Sequence, residues 1–393
     1  MAKQSVVILG ARRTPIGSML GVYSAVGAPA LGAAALKGAL ASAGVDPGIV
    51  NEVVMGCVLP AGQGQAPARQ AAIAAGIPQS VPATTVNKMC GSGMKAVMMA
   101  ADQLASGGAE FVLAGGMESM TNAPYLLPKA RAGYRMGHGE ILDHMFYDGL
   151  QSPWDGKLMG CFADATAAKY GFSRAEQDAF AAESVRRALA AVESGAFEAE
   201  IAAVTITDRK GERSIARDET PFNVSIEKIP TLRPAFGKDG TVTAASSSSI
   251  ADGAAALLLA REDAATAQKL KPVARIVAHA SHAHAPEWFT TAPGGAIATV
   301  LKRASWSAAD VDLYEINEAF AVVTMAAMKD IGIAHDRVNV HGGACALGHP
   351  IGATGARILT TLIHALKRRG GKRGVAALCI GGGEATAVAI ELS

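Results

Sequence analysis

Val86-Asn87-Lys88-Met89-Cys90-Gly91-Ser92-Gly93-Met94-Lys95-Ala96 is the stretch whose reading decides this chain. A β-prone run over residues 81–86 leads into it, and an Ala/Met-rich helical pattern over residues 94–104 leads out. Cys90 therefore sits where a strand becomes a helix, with Gly91 and Gly93 allowing a tight bend and close approach to another part of the chain. Free N–H groups and the positive end of the dipole at a helix start favour a thiolate. The thiol is therefore expected to be more acidic than the free value of about 8.5. A cysteine on so specialised a turn reads as a nucleophile ahead of a small buried hydrophobe.

The chain around this turn has 393 residues, half of them hydrophobic and 18% charged, which allows a large core and two or three domains. Lysine plus arginine exceed aspartate plus glutamate by only 36 to 34, with no long single-sign run. That excludes the electrostatic footprint of a nucleic-acid or membrane-surface protein. The five cysteines, an odd number without a CxxC pair, form neither a disulfide framework nor a zinc pattern, and they fit a reducing compartment. A strand at residues 5–9 follows Met1 without a basic-then-apolar leader, the chain ends in Glu391-Leu392-Ser393, and the expected location is the cytoplasm. Apolar runs such as residues 254–260 are far too short to span a bilayer.

Strands and helices alternate through the first third: a helix at 28–43, an Asp46-Pro47 cap, a strand at 52–58, a helix at 66–75, the Cys90 helix, and a strand at 111–114 ending in Gly115-Gly116. This order predicts a mainly parallel sheet covered on both faces. Residues 122–249 change character, with prolines, aromatics and an amphipathic helix at 173–194 opened by a Ser173/Glu176 capping box, and they read as a long insertion covering a site. The last third repeats the first. Asp46 and Val50 recur as Ser307 and Val311, an offset of 261 residues in both cases (307 − 46 and 311 − 50). Internal duplication follows, with an N-terminal α/β half (residues 1–121 and 250–270), the insertion (122–249) and a C-terminal α/β half (271–393). Two stacked mixed sheets with layered helices and a site at the strand ends between the halves are expected.

Three reactive side chains then lie on comparable turns: Cys90, His349 within Gly348-His349-Pro350-Ile351-Gly352-Ala353-Thr354-Gly355, and Cys379 ahead of Gly381-Gly382-Gly383. Glycine and proline fix the backbone around His349 and leave N–H groups for an anionic oxygen. Asn317, in Asn317-Glu318-Ala319-Phe320, reads either as a strand-end cap or as a site residue. Cys345 and His341 stand close enough to His349 in sequence to line the same site, whereas His279, His282 and His284 lack a ligand-spaced carboxylate or cysteine, so no metal is expected.

These four segments, in order and spacing, resemble the four signatures of the thiolase family, closest to its acetyl-CoA acetyltransferase branch. The likeness covers essentially the whole chain. It implies a thiolase-like α/β fold and a reversible Claisen condensation of two acetyl-CoA to acetoacetyl-CoA and CoA. Cys90 would be acylated with His349 helping to form the thiolate, and Cys379 would exchange the α-proton. Oxyanion pockets would be formed by His349 with a water held by Asn317, and by the N–H groups of Cys90 and Gly381. Leu150, Met159, Phe236, Ala244, Ser248, Phe289, Ala319 and Phe320 would lie near the pantetheine or acyl group. No cofactor is implied, since coenzyme A enters as substrate and product. The resemblance also implies a homotetramer. Two departures bear on acyl-chain preference: Leu158-Met159-Gly160 replaces the family's usual His-Met-Gly, and the run at 246–249 is all serine where asparagines are usual. A 3-ketoacyl-CoA thiolase of longer chain length is the nearest alternative. A β-ketoacyl synthase is disfavoured by Cys379, and a cysteine thioester hydrolase or a non-catalytic CoA-binding scaffold represents other classes.

Overall fold

The computed structural model describes residues 4–208 and 211–393. Strands β1 (Val6–Arg13), β2 (Glu52–Gly56), β3 (Ala83–Val86) and β4 (Phe111–Ser119) alternate with helices α1 (Ala28–Ala43), α2 (Pro67–Ala74) and α3 (Ser92–Ala105). After helices α4 (Met159–Tyr170) and α5 (Arg174–Glu193), the chain returns through β5 (Ala251–Arg261). The second half holds β6 (Ala274–Ala283), α6 (Ala292–Ala304), β7 (Leu313–Ile316), α7 (Ala321–Ile331), α8 (Thr354–Arg369), β8 (Arg373–Ile380) and β9 (Glu384–Leu392). Local sequence explains the element ends. Proline opens α1 and Gly44 closes it at φ +67, and both reciprocal hydrogen bonds of the Ser173/Glu176 capping box are present at the start of α5.

The strands follow one path, β7-β8-β9-β6-β1-β5-β4-β2-β3, with the two-residue strand Gly17–Ser18 beside β5 as a tenth member. The two ends of this path mirror each other. Val53 of β2 pairs in parallel with Ala83, and Tyr314, 261 residues later (314 − 53), bridges in parallel to Val338. β5 is buried along nearly its whole length, which accounts for the Ala/Leu run over residues 254–260.

Packing divides the molecule into layers. α1 and α2 share a core with the N-half strands through Leu31, Leu36, Met55 and Leu258. α6 and α7 cover the C-half strands through Ile297, Val300 and Ala327. Between them, Met94 and Val97 of α3 and Ile358 and Leu359 of α8 share one cluster with Leu257 from the first half and Leu378 from the second. The two sheets are therefore stacked on a common pair of helices, as expected, but they are also continuous at one corner. Val6, Val7 and Ile8 pair with Ile276, Arg275 and Ala274, so the equivalent first strands of the halves join edge to edge. No helix among the described residues is long and apolar enough to cross a membrane.

Strand lengths differ from expectation at the sites that matter. β4 runs on through Ser119, so Gly115 and Gly116 lie inside the strand rather than in a turn. A Cβ on Gly116 would stand 2.0 Å from the carbonyl oxygen of Gly352, so glycine there admits the His349 segment of the other half. β8 likewise includes Cys379, and only Gly381–383 make the turn.

Leu359, fully buried in the central layer, provides a check on this packing. Leu359→Ala should cost about 2–5 kcal/mol, seen as a lower urea midpoint. An unchanged midpoint would contradict a tightly packed shared helix layer.

Candidate active site

Cys90 occupies a turn that is bent at Met89, whose φ is +47, and not at the flanking glycines. The hydroxyl of Ser92 locks this bend by donating to the Met89 carbonyl at 2.6 Å and accepting the Lys88 N–H at 2.8 Å. Gly91 and Gly93 supply close approach, as expected. A Cβ on Gly91 would meet Ile380 Cδ1 at 2.4 Å, and one on Gly93 would stand 2.9 Å from the Gly352 oxygen. The Cys90 turn thus touches both motif segments of the other half, one beside Cys379 and one beside His349.

Cys379 is fully buried on β8, and the backbone N–H of Gly381 reaches the Cys90 sulfur. Lys88 forms an ion pair with Glu384, clasping the Cys90 turn to the segment that follows the three glycines. His349 is buried, its N–H bonded to the Ser249 carbonyl at 3.0 Å. Its Nδ1 lies 2.6 Å from the Thr354 hydroxyl, which itself donates to the Pro350 carbonyl at 3.0 Å. Since that hydroxyl proton is committed, Nδ1–H is the donor to Thr354, and Nε2 carries the lone pair. Among the described residues Nε2 has no partner, and neither has either amide atom of the buried Asn317. Asn317 is held by its N–H to the Ala377 carbonyl at 3.0 Å, two residues before Cys379.

Burial governs the protonation of these groups. It pushes the partly exposed Cys90 thiol up to about 11, against the opposing effect of the Gly381 and Cys90 N–H groups, so the expected acidic thiol is not what the folded site holds. The helix start helps, but desolvation of the sulfur outweighs it. Burial first, and the charge of Arg357 second, lower His349 to about 3, leaving a neutral imidazole. Burial and the neighbouring Cys90 hold Cys379 well above its ordinary value. At neutral pH the site contains two thiols and a neutral base.

A cavity of about 180 Å³ with an almost wholly apolar lining lies against this set, with His349 in its wall. Of the residues expected near substrate, Leu150, Met159, Phe236, Ser248 and Phe320 line it. Phe289 and Ala319 instead pack behind it in one cluster with Cys379. Ala244 lines an adjoining surface depression that shares Ser249 and Ile250 with this cavity. Cys345 packs against Phe180 and Ala321, and His341 stacks edge-on to Phe197, so neither lines this cavity. Met120, Phe146 and Ile351 were missed by sequence reasoning, and only the position of Ile351 inside the His349 motif could have revealed it. Leu158, noted as a departure, also lines the cavity.

Residues 6–263 match the thiolase N-terminal domain and residues 270–392 the thiolase C-terminal domain. The chain belongs to the thiolase family. It is 48% identical to an acetyl-CoA acetyltransferase of Pseudomonas aeruginosa, covering 98% of this chain and 99% of that protein. It is also 48% identical to acetyl-CoA acetyltransferase 2 of Arabidopsis thaliana, with 99% and 97% covered. The crystal structure of the Bacillus anthracis acetyl-CoA acetyltransferase superposes with a TM-score of 0.97 at 42% identity over the full length of both chains.

The protonation states yield a direct prediction for this thiolase. Alkylation of Cys90 by iodoacetamide, corrected for the background in Cys90→Ala, should keep rising with pH as for a thiol ionising at about 11. A plateau reached by neutral pH would instead reveal a preformed thiolate–imidazolium pair.

Proposed function

We propose that this thiolase is an acetyl-CoA acetyltransferase in which Cys90 carries the acetyl group. The observation that carries this reading is the contact of the Cys90 turn with the segments of both Cys379 and His349, beside an apolar cavity that has His349, its Nε2 unpartnered among the described residues, in its wall. Nε2 of His349 takes the Cys90 proton as the sulfur attacks the thioester carbonyl. The leaving CoA sulfur takes the proton of Cys379, a thiol that burial keeps protonated until that leaving group forms beside it. The products of this half-reaction are acetyl-Cys90, free CoA, a Cys379 thiolate and protonated His349.

A second acetyl-CoA then yields an α-proton to the Cys379 thiolate, a strong base for the same reason that its thiol is a weak acid. The enolate attacks the acetyl-Cys90 carbonyl, the Cys90–acyl bond breaks, and Cys90 recovers its proton from His349. Every proton is returned, and acetoacetyl-CoA and CoA are the net products. The N–H groups of Gly381 and Cys90 are oriented toward the sulfur and suit an oxyanion on the acyl carbon. The unpartnered amide of Asn317, with His349, suits a water and the enolate oxygen. The segment 122–249 supplies Phe146, Leu150, Met159 and Phe236 to the cavity and is proposed to hold the CoA limb.

Leu158 and the apolar lining favour a second reading for chain length only, in which longer acyl groups are accepted. Steady-state thiolysis with free CoA separates the two. The acetyltransferase reading predicts that kcat/KM is highest for acetoacetyl-CoA and falls along a series of longer 3-ketoacyl-CoAs. Preference for the longer chains would move the protein to the broader thiolase class, and no thiolysis at all would refute the reaction.

A further inference from the structure

One fully buried carboxylate beside the site has no part in the chemistry described: Glu118, on β4. Its Oε2 accepts the N–H groups of Val58 at 3.0 Å and Gly352 at 2.8 Å, and its Oε1 accepts that of Leu59 at 3.2 Å. Gly352 lies in the segment of the C-half that presents His349. Val58 and Leu59 pack in one cluster with Cys90 and Ile351. A Cβ on Gly352 would stand 2.6 Å from Glu118 Oε2, so the His349 segment rests directly on this carboxylate.

A buried carboxylate without a cation is costly, and full hydrogen bonding is what makes it tolerable. The groups that face Glu118 are the three amides and the thiol of Cys57, with Cys90 close enough to feel its charge. Asp252, on the paired strand β5, is engaged by the Thr121 N–H instead. Three amides from two separate loops thus converge on one acceptor from a third element. An apolar residue of similar size would fill the volume but leave those amides unpaired.

We propose that Glu118 is a positioning residue for acyl transfer: its carboxylate ties the His349 segment of one half to the Cys90 shell of the other and fixes the base against the nucleophile. This role rests on the reading of Cys90 and His349 as the acylating pair. The ionised form is the better acceptor for all three amides, because a proton on Oε2, which takes two of them, competes with an N–H for a lone pair, and a proton on Oε1 weakens its acceptance from Leu59. Burial raises Glu118 to about 7, whereas His349 stays neutral above about 3 and Cys90 ionises at about 11. Glu315 is raised to about 8 by burial, and burial also raises Glu318 and Asp252.

The test is acetoacetyl-CoA thiolysis from about pH 5.5 to 8.5 by the full-length wild type, Glu118→Gln, Glu315→Gln and Gly352→Ala. The wild-type rate should rise with pH through about 7, and the limb should persist in Glu315→Gln and vanish in Glu118→Gln. Glu118→Gln should lose about tenfold to a hundredfold in kcat, with KM changed less than about twofold, as misplacement of a base requires. Gly352→Ala, which leaves the carboxylate in place but unseats the segment, should show the same split, and the double variant should fall no further than the worse single one. If Glu118→Gln does not fold, Gly352→Ala alone decides: an unchanged kcat overturns the proposal. Full rate with the acid limb intact in Glu118→Gln overturns it as well, as do losses that multiply in the double variant. A wild type that thiolyses no 3-ketoacyl-CoA refutes the underlying reaction, whereas normal wild-type turnover with an unimpaired Glu118→Gln refutes this role alone.

Discussion

The site exists because two pieces of backbone from opposite halves cross at distances no side chain would permit. A Cβ on Gly355 would stand 2.3 Å from the amide nitrogen of Met94, just as Gly93 and Gly116 each abut the Gly352 oxygen. These contacts bring the starts of α3 and α8 together, and the buried apolar faces of both helices, Met94 and Val97 against Ile358 and Leu359, hold them there. Cys90 precedes one of these helices and His349 the other. Sequence therefore acts on chemistry through packing: glycine at the crossings sets the separation, and the shared core makes it rigid.

Rigidity has an electrostatic consequence. The same closeness that brings sulfur and imidazole together strips water from both, and desolvation prevails over the helix start and the nearby N–H groups. Cys90 and His349 are both held in their neutral forms. In the proposed reaction, proton movement is then coupled to the arrival of a thioester, whose carbonyl would supply the developing charge for the N–H groups of Gly381 and Cys90 to meet. A resting thiol is also less open to adventitious oxidation than a standing thiolate.

Much of this was legible in the chain. The 261-residue offset read at Asp46/Ser307 and Val50/Val311 extends in the structure to Val53 and Tyr314, and the glycine- and proline-rich turns singled out Cys90, His349 and Cys379, because residues that permit close backbone approach are visible even when the partner is not. What sequence did not disclose depends on partners far along the chain. Glu118 meets Gly352 across 234 positions and Lys88 meets Glu384 across 296, and no local pattern announces either. The edge pairing of Val6 with Ile276 is equally non-local. The bend at Met89 was hidden because the neighbouring glycines offered a simpler explanation. The direction of the Cys90 shift was misread because burial, a property of the whole fold, outweighs the helix start that sequence does reveal. Ala244 lines the depression next to the cavity, a placement set by loop geometry that sequence does not disclose.

The division of labour between the thiols of Cys90 and Cys379 is the centre of this account, and intact-protein mass spectrometry of Cys379→Ala mixed with acetyl-CoA examines it most directly. The account predicts a mass gain of one acetyl group located on Cys90 by peptide mapping, with acetoacetyl-CoA formation abolished. Condensation at the wild-type rate, or acetyl found on a residue other than Cys90, would contradict it.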